Sequence, residues 1–252
     1  MKKTFLLSCL MLAAMPVMAA YTGHVYVDKN KNGVFDQSEK PLAGIKVSDG
    51  LNVVETAADG SFTLPGHERE RFIFITTPSG YKTFNRHYHK IEKKQSGYDF
   101  GLIPYSGRIR KDGSHRYIHI TDTEIFNTEN HADWVNNVRD YARNEQAAFI
   151  IHTGDLCYEK GLKAHIKLMN TENMDCPVFY CIGNHDLVKG KYGEELFESI
   201  YGPVYYSFDA GNVHYVVTPM PGGDHAPGYT SDDVCRWLKN DLAHIRPGTP
   251  VV

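Results

Sequence analysis

A chain of 252 residues has room for one large or two ordinary domains, and 42% hydrophobic with 23% charged residues is the balance of a folded globular protein, not of a disordered segment or a membrane body. A formal net charge of −3 sets it apart from nonspecific nucleic-acid binders, which present a basic surface. The most basic stretch, Arg86-His87-Tyr88-His89-Lys90 with Lys93 and Lys94, reads as one solvated face on an acidic chain, so no nucleic-acid partner is expected.

Residues 1–20 read as a secretory signal peptide. Lys2 and Lys3 form a basic start, Phe5 to Val17 is almost wholly apolar, and Val17-Met18-Ala19 supplies small residues for cleavage near Ala19 or Ala20. The apolar run is shorter than the roughly 20 residues of a bilayer span, so no membrane span is expected after cleavage. Losing Lys2 and Lys3 would take the net charge from −3 to −5. The expected location is periplasmic or secreted. Cys157, Cys176, Cys181 and Cys235 would remain, and an exported protein could pair them in any of three ways. Cys176 and Cys181 flank a strand at an odd separation that sends them to opposite faces, so they are not expected to bond each other.

Residues 21–105 carry the pattern of short strands and turns. Val25 and Val27 alternate with His24 and Tyr26; further strands are expected at Ile45 to Val47, Val53-Val54, Ser61 to Leu64 and Phe72 to Thr76. Asp49-Gly50, Asp59-Gly60 and Ser79-Gly80 punctuate them, which predicts an all-β sandwich. Within it, residues 28–39 follow the calcium-loop pattern D-x-[DN]-x-[DN]-G-x5-E. Asp28, Asn30, Asn32, Asp36 and Glu39 would turn side-chain oxygens, and Val34 its carbonyl, toward one hard cation, with Gly33 allowing the sharp turn.

From residue 106 the pattern changes to alternating strands and helices, predicting an α/β domain over 106–252. Tyr117 to Ile120 is expected as a buried strand. Trp134, Val135, Val138, Tyr141 and Ala142 would mark one helix face, and Leu162, Ile166 and Met169 another. Strands are expected at Ala148 to Ile151, Val178 to Ile182, Tyr205 to Phe208 and Val213 to Val217. A last helix would start from an N-cap at Ser231.

Three of these strands end in polar residues: Thr121-Asp122-Thr123-Glu124, His152-Thr153-Gly154-Asp155 and Gly183-Asn184-His185-Asp186. Ligands of open α/β sheets bind beyond the carboxyl ends of strands, so the three clusters can share one site. The 33 residues from Asp122 to Asp155 and the 29 from Asp155 to Asn184 each fit one strand-helix-strand unit. Carboxylate and amide oxygens suit divalent metals, and a carboxylate on a central strand, here Asp155, can bridge two ions.

Gly154-Asp155 and Gly183-Asn184-His185-Asp186, in this order and spacing, resemble the motifs of the calcineurin-like metallophosphoesterases, and Tyr205-Tyr206-Ser207-Phe208 and Trp237-Leu238-Lys239 resemble exported bacterial members with an N-terminal β-sandwich. The resemblance implies hydrolysis of a phosphate mono- or diester at two divalent ions, Mn, Mg, Fe or Zn. Asp122 would bind the first metal, Asp155 would bridge, and Asn184 would bind the second. His185 would meet the phosphate or protonate the leaving group, and Asp186 would orient its ring. His119 and His152 are read as core or supporting histidines. Glu124 stands where the family usually has a histidine; it can still ligate, and favours a harder ion such as manganese or magnesium. The family's further histidine ligands follow the strand that starts at Pro250-Val251-Val252, so the phosphoesterase domain is expected to be truncated here; His225 is the one other histidine free to reach the site. Two readings follow: part of a longer enzyme, or a noncatalytic exported binding or scaffold protein with a degenerate metal site.

Overall fold

The computed structural model describes residues 20–156 and 158–252; nearly all of the stretch expected to be a signal peptide, residues 1–19, and Cys157 lie outside the described residues. The first part of the chain is all strand: β1 (Tyr21–Val27), β2 (Lys40–Pro41), β3 (Lys46–Ser48), β4 (Val53–Glu55), β5 (Ser61–Leu64), β6 (Phe72–Ile75), β7 (Tyr81–Thr83), β8 (Tyr88–Lys90) and β9 (Phe100–Pro104). They form two sheets, one ordered β2-β1-β9-β7 with β5 also on β1, the other β4-β3-β6-β8. Val25, Leu64, Phe100 and Leu102 of the first sheet pack against Val47, Ile73 and Ile75 of the second. This is the all-β sandwich that the strand and turn pattern predicts.

The rest is α/β: β10 (Tyr117–Ile120), α1 (Ala132–Asn144), β11 (Phe149–His152), α2 (Glu159–Leu168), β12 (Val178–Tyr180), α3 (Glu195–Tyr201), β13 (Tyr206–Ala210), β14 (Val213–Val217) and α4 (Ser231–Leu242). β10, β11 and β12 are parallel, with Ile120 level with His152 and His152 level with Tyr180. All three therefore deliver their carboxyl ends to one edge. β13 and β14 form an antiparallel hairpin.

β6 explains how the two parts meet. Its four residues are all buried: Ile73 and Ile75 face the sandwich core, while Phe72 and Phe74 turn the other way, against a cluster with Phe149, Phe179, Phe208 and Trp237. A strand with both faces buried has no polar alternation, which is why Phe72-Ile73-Phe74-Ile75 is apolar throughout. Polar contacts join the same elements. Arg71 reaches Glu194 (2.8 Å) and Glu198 (2.9 Å) at α3, and burial, with Glu194 nearby, pushes the Glu198 carboxyl up to about 8. Arg69 binds the Gly228 carbonyl at 2.7 Å and Asp233 at 3.0 Å.

The sequence reading needs three corrections. β10 is an edge strand, not a buried one: it pairs only with β11, and Tyr117 stays 44% exposed although its ring stacks on Phe149 at 5.0 Å. The buried stripe of α1 is narrower than predicted, since Val135 and Ala142 face the core while Trp134 and Tyr141 face solvent. The N-cap of α4 is Thr230, whose hydroxyl accepts the Asp233 N–H while the Asp233 carboxylate accepts the Thr230 N–H. Cys176, Cys181 and Cys235 are free thiols, so Cys176 and Cys181 are not bonded to each other. No helix among the described residues is long and apolar enough to cross a membrane.

A buried ion triad locks the hairpin to α4. His214 on β14 bonds Asp209 at 2.6 Å through Nδ1 and Asp241 at 2.7 Å through Nε2. Lys46 of the sandwich adds a bond to Asp209 at 3.3 Å, and Asp241 also accepts from the Ser207 hydroxyl at 2.9 Å. Burial alone would lower the His214 pKa, but the two carboxylates outweigh it and raise it above the ordinary value. The protonated ring therefore stabilises the fold fully below about pH 6.5, and the contribution is lost as pH rises through the raised folded value. We predict that His214→Ala costs about 3–5 kcal/mol in urea unfolding at pH 6, by leaving Asp241 buried without its partner. The gap to the unsubstituted protein should narrow at pH 9; a gap that is constant with pH would disprove the charged triad.

Candidate functional site

Beyond their strand ends the first two loops stay stitched together. Thr153 N donates to Ile120 O at 2.9 Å, and Asp122 N to Gly154 O at 3.1 Å. The second and third loops are closer still. His185 N donates to Asp155 Oδ1 at 3.1 Å, and Leu156 N to Asp186 Oδ2 at 3.3 Å. This approach requires glycine twice: a Cβ on Gly154 would lie 2.6 Å from the Gly183 backbone, and a Cβ on Gly183 would overlap the Asp155 amide and carboxylate. The structure thus brings the loops of Asp122, Asp155 and Asn184 to one edge, with Asp155 in the middle.

The backbone carries strain at these carboxylates. Six non-glycine residues among those described have left-handed φ, and three of them are Asp122 (53°), Glu124 (45°) and Asp155 (52°). Such conformations cost about 1–2 kcal/mol per residue and persist where surrounding structure imposes them, often at functional sites. Asp122 and Glu124 are exposed, and Asp155 and Asn184 half-buried.

His185 sits on a short 3-10 turn, Asn184–Asp186. Its Nδ1 bonds Asp224 Oδ2 at 2.9 Å, and that hydrogen bond raises its pKa. Asp224 is held in turn by its N–H on Asn184 O at 3.1 Å, and a Cβ on Gly223 would overlap that same carbonyl. Asp186 does different work from the predicted ring orientation. It is buried, and its Oδ2 accepts from Gly183 N (2.9 Å) and Leu156 N, tying the third loop to the second, while Asp224 holds the ring. The sequence reading missed Asp224 and looked instead to His225, which is exposed.

The remaining histidines fall into place around this core. His152 is buried, and burial lowers its pKa to about 4. Its Nδ1 accepts Gly154 N–H at 3.3 Å, so the neutral ring carries its proton on Nε2 and donates to Thr123 Oγ1 at 2.9 Å. His119 bonds Thr153 Oγ1 at 2.7 Å. His244 turns to Val53 O (3.1 Å) and Glu55 (3.2 Å) on β4, and His214 is held in the ion triad, so neither supplies a ligand here.

Oxygen donors from Asp122, Glu124, Asp155 and Asn184 suit a hard divalent cation, and no arginine or lysine among the described residues pairs with these carboxylates within 4.0 Å. The donor chemistry fits a metal, although the Asp122, Glu124 and Asp155 oxygens do not all lie within 4.8 Å of one another. Three His, Cys, Asp or Glu ligand atoms within 4.8 Å of one another occur elsewhere among the described residues, at Asp49, His67 and Glu70 beside the β3–β4 turn. That group could hold an ion. Its oxygens also serve the protein: Asp49 accepts Leu51 N (3.0 Å) and Asn52 N (2.7 Å), and Glu70 accepts His67 N and the Tyr21 hydroxyl. The loop of residues 28–39 follows directly on β1.

Residues 115–242 match the family described as calcineurin-like phosphoesterase, and residues 29–104 match its N-terminal domain, described as the N terminal of calcineurin-like phosphoesterase. No curated protein matches the chain.

The strain at the carboxylates is measurable. Glycine adopts left-handed φ without penalty, so Glu124→Gly should raise the unfolding free energy by about 1 kcal/mol in metal-free buffer, whereas Glu124→Ala should not. Equal effects of the two substitutions in a chemical denaturation series would show that the position is unstrained.

Proposed function

The chain belongs to the calcineurin-like phosphoesterase family, a family of metal-dependent phosphoester hydrolysis, and on that premise we propose that its strand-end loops form a two-metal site for a phosphate mono- or diester. The observation that carries the proposal is the junction of the second and third loops, where Asp155 Oδ1 takes the His185 N–H while Asp122 is bonded to Gly154. On this reading Asp122 and Glu124 serve one ion, Asn184 serves the other, and Asp155, between the two loops, is shared.

When bound, the divalent ions supply Lewis acidity toward phosphoryl oxygens and make water acidic enough to attack at neutral pH. The chain's own residues do the rest. Asp224 fixes the His185 ring through Nδ1 and favours its protonated form, leaving Nε2 to meet a phosphoryl oxygen or donate a proton to the leaving oxygen. Neutral His152 orients Thr123 between Asp122 and Glu124. Asp186 keeps the turn that carries Asn184 and His185 against Asp155.

The test is hydrolysis of p-nitrophenyl phosphate and bis-p-nitrophenyl phosphate with added manganese. Turnover should vanish in Asp155→Ala and fall by about 10–100-fold in Asp224→Asn with the fold intact. Absence of both turnover and bound manganese in the unsubstituted chain would favour the noncatalytic binding protein instead. We further propose, on the strength of residues 1–20, that the reaction takes place outside the cytoplasm. The intact mass of protein recovered from the periplasm or medium checks this: it should lack about the first twenty residues.

A further inference from the structure

We propose that the loop of residues 28–39 is a calcium site, built into the β1–β2 connection and independent of the phosphoester chemistry. Its twelve residues fit D-x-[DN]-x-[DN]-G-x5-E at every defined position. Sequence alone allows a polar hairpin that binds nothing; burial and charge argue against that.

Asp28 is 1% exposed and Glu39 6% exposed, and Asp36 beside them is half-buried. No lysine, arginine or histidine nitrogen among the described residues lies within 4.0 Å of these three carboxylates. Loop N–H groups of Asn32 and Gly33 meet Asp28, and those of Lys29 and Asp36 meet Glu39, but they carry no full charge; a divalent ion supplies it. Both of Asp36's amide neighbours already turn toward it: Asn30 Nδ2 and Asn32 Nδ2 each donate to Asp36 Oδ2, at 2.7 and 3.1 Å. The loop thus gathers two amide donors on Asp36, the kind of positive partner that a cation would replace.

A second, separate observation lies in the sheet beneath. Tyr26 is fully buried and its hydroxyl has no hydrogen-bond partner. That hydroxyl crowds the same spot as Asp28: a Cβ on Gly101 would lie 3.0 Å from Asp28 Oδ2 and 3.2 Å from the Tyr26 oxygen. A buried hydroxyl without a partner costs roughly 1–3 kcal/mol, and a hydrated cation in the loop brings the water that would satisfy it.

The ends of the loop are anchored for this role. Asp28 N donates to Leu102 O of β9 at 2.9 Å, and Glu39 accepts Lys29 N at 2.8 Å immediately before β2. An ion held between Asp28 and Glu39 therefore ties β1 to β2 and stiffens the first sheet. Five side-chain donors and a carbonyl suit the six to eight oxygens calcium takes at flexible geometry, more than the strict octahedron magnesium demands.

The test uses the full chain treated with EDTA. Titration of CaCl2 by calorimetry should show one site tighter than about 10⁻³ M, with MgCl2 binding at least tenfold more weakly. Saturating calcium should raise the melting temperature by about 5 °C. Glu39→Gln should weaken calcium at least tenfold, while Asp155→Asn should leave it unchanged. If Glu39→Gln does not fold, tyrosine-sensitised terbium emission from the unsubstituted protein, displaced by calcium and retained in Asp155→Asn, takes its place. No calcium binding, equal affinity in Glu39→Gln, equal affinity for magnesium, or loss of the site in Asp155→Asn would each overturn the proposal.

Discussion

The contact between Gly154 and Gly183 is the constraint on which the candidate site rests. Parallel pairing of β11 with β12 brings the two loops level, but level strands normally diverge past their ends because side chains keep them apart. Here neither loop has a Cβ at the crossing, so the backbones close to a distance that only glycine tolerates. Asp155 then reaches under the third loop to take the His185 N–H, and Asp186 reaches back to Leu156. A chain of consequences runs from two missing side chains to the position of every polar group in the site.

The β-sandwich takes part in that arrangement. Because Phe72 and Phe74 face the α/β part while Ile73 and Ile75 face the sandwich core, one strand is shared by both cores. Arg69 and Arg71 extend the same contact into polar territory, gripping Glu194, Glu198, Asp233 and the Gly228 carbonyl. Gly228 ends the loop whose middle residue, Asp224, holds His185, and Glu194 also accepts the Gly228 N–H at 3.1 Å. The orientation of an imidazole at the strand ends is thereby linked, through backbone held at Gly228, to arginines that precede β6 more than one hundred residues earlier.

Much of this was legible in the sequence, for a physical reason. Strand alternation and turn residues are local, so the sandwich and the three parallel strands could be read directly from Val25, Asp59-Gly60 or Phe149-Ile150-Ile151. The three polar strand ends could be read because open sheets present ligands at one edge whatever their details. What escaped depends on contacts distant in the chain. Nothing near Asp224 marks it as the partner of His185; a glycine pair at 222 and 223 hints at a close approach, and the overlap that a Cβ would make with Asn184 O shows where. Tyr117 and Trp134 are apolar enough to predict burial, but whether a strand or helix face is covered depends on which neighbours lie beside it, as the edge position of β10 shows. Thr230 and Ser231 are equally good caps by type, and the Asp233 carboxylate meeting the Thr230 N–H decided between them.

Among the described residues, the strand-end loops and residues 28–39 both gather carboxylates that no basic side chain neutralises, and their difference in burial argues for different roles. At residues 28–39 two of the three acids, Asp28 and Glu39, are out of solvent with their oxygens bonded back to the loop. Acids held this way by their own loop suit an ion that stiffens the sandwich. At the strand ends Asp122 and Glu124 stand open to solvent on strained backbone, and the His185 imidazole of the third loop is tethered by Asp224. An open set of oxygens leaves coordination positions for water and a phosphate ester, which is what chemistry at a metal requires and structural binding avoids. Strain kept in an exposed loop gives no packing in return, so it persists only because the Gly154–Gly183 crossing and the hydrogen bond from Asp122 to Gly154 leave these residues no other backbone path.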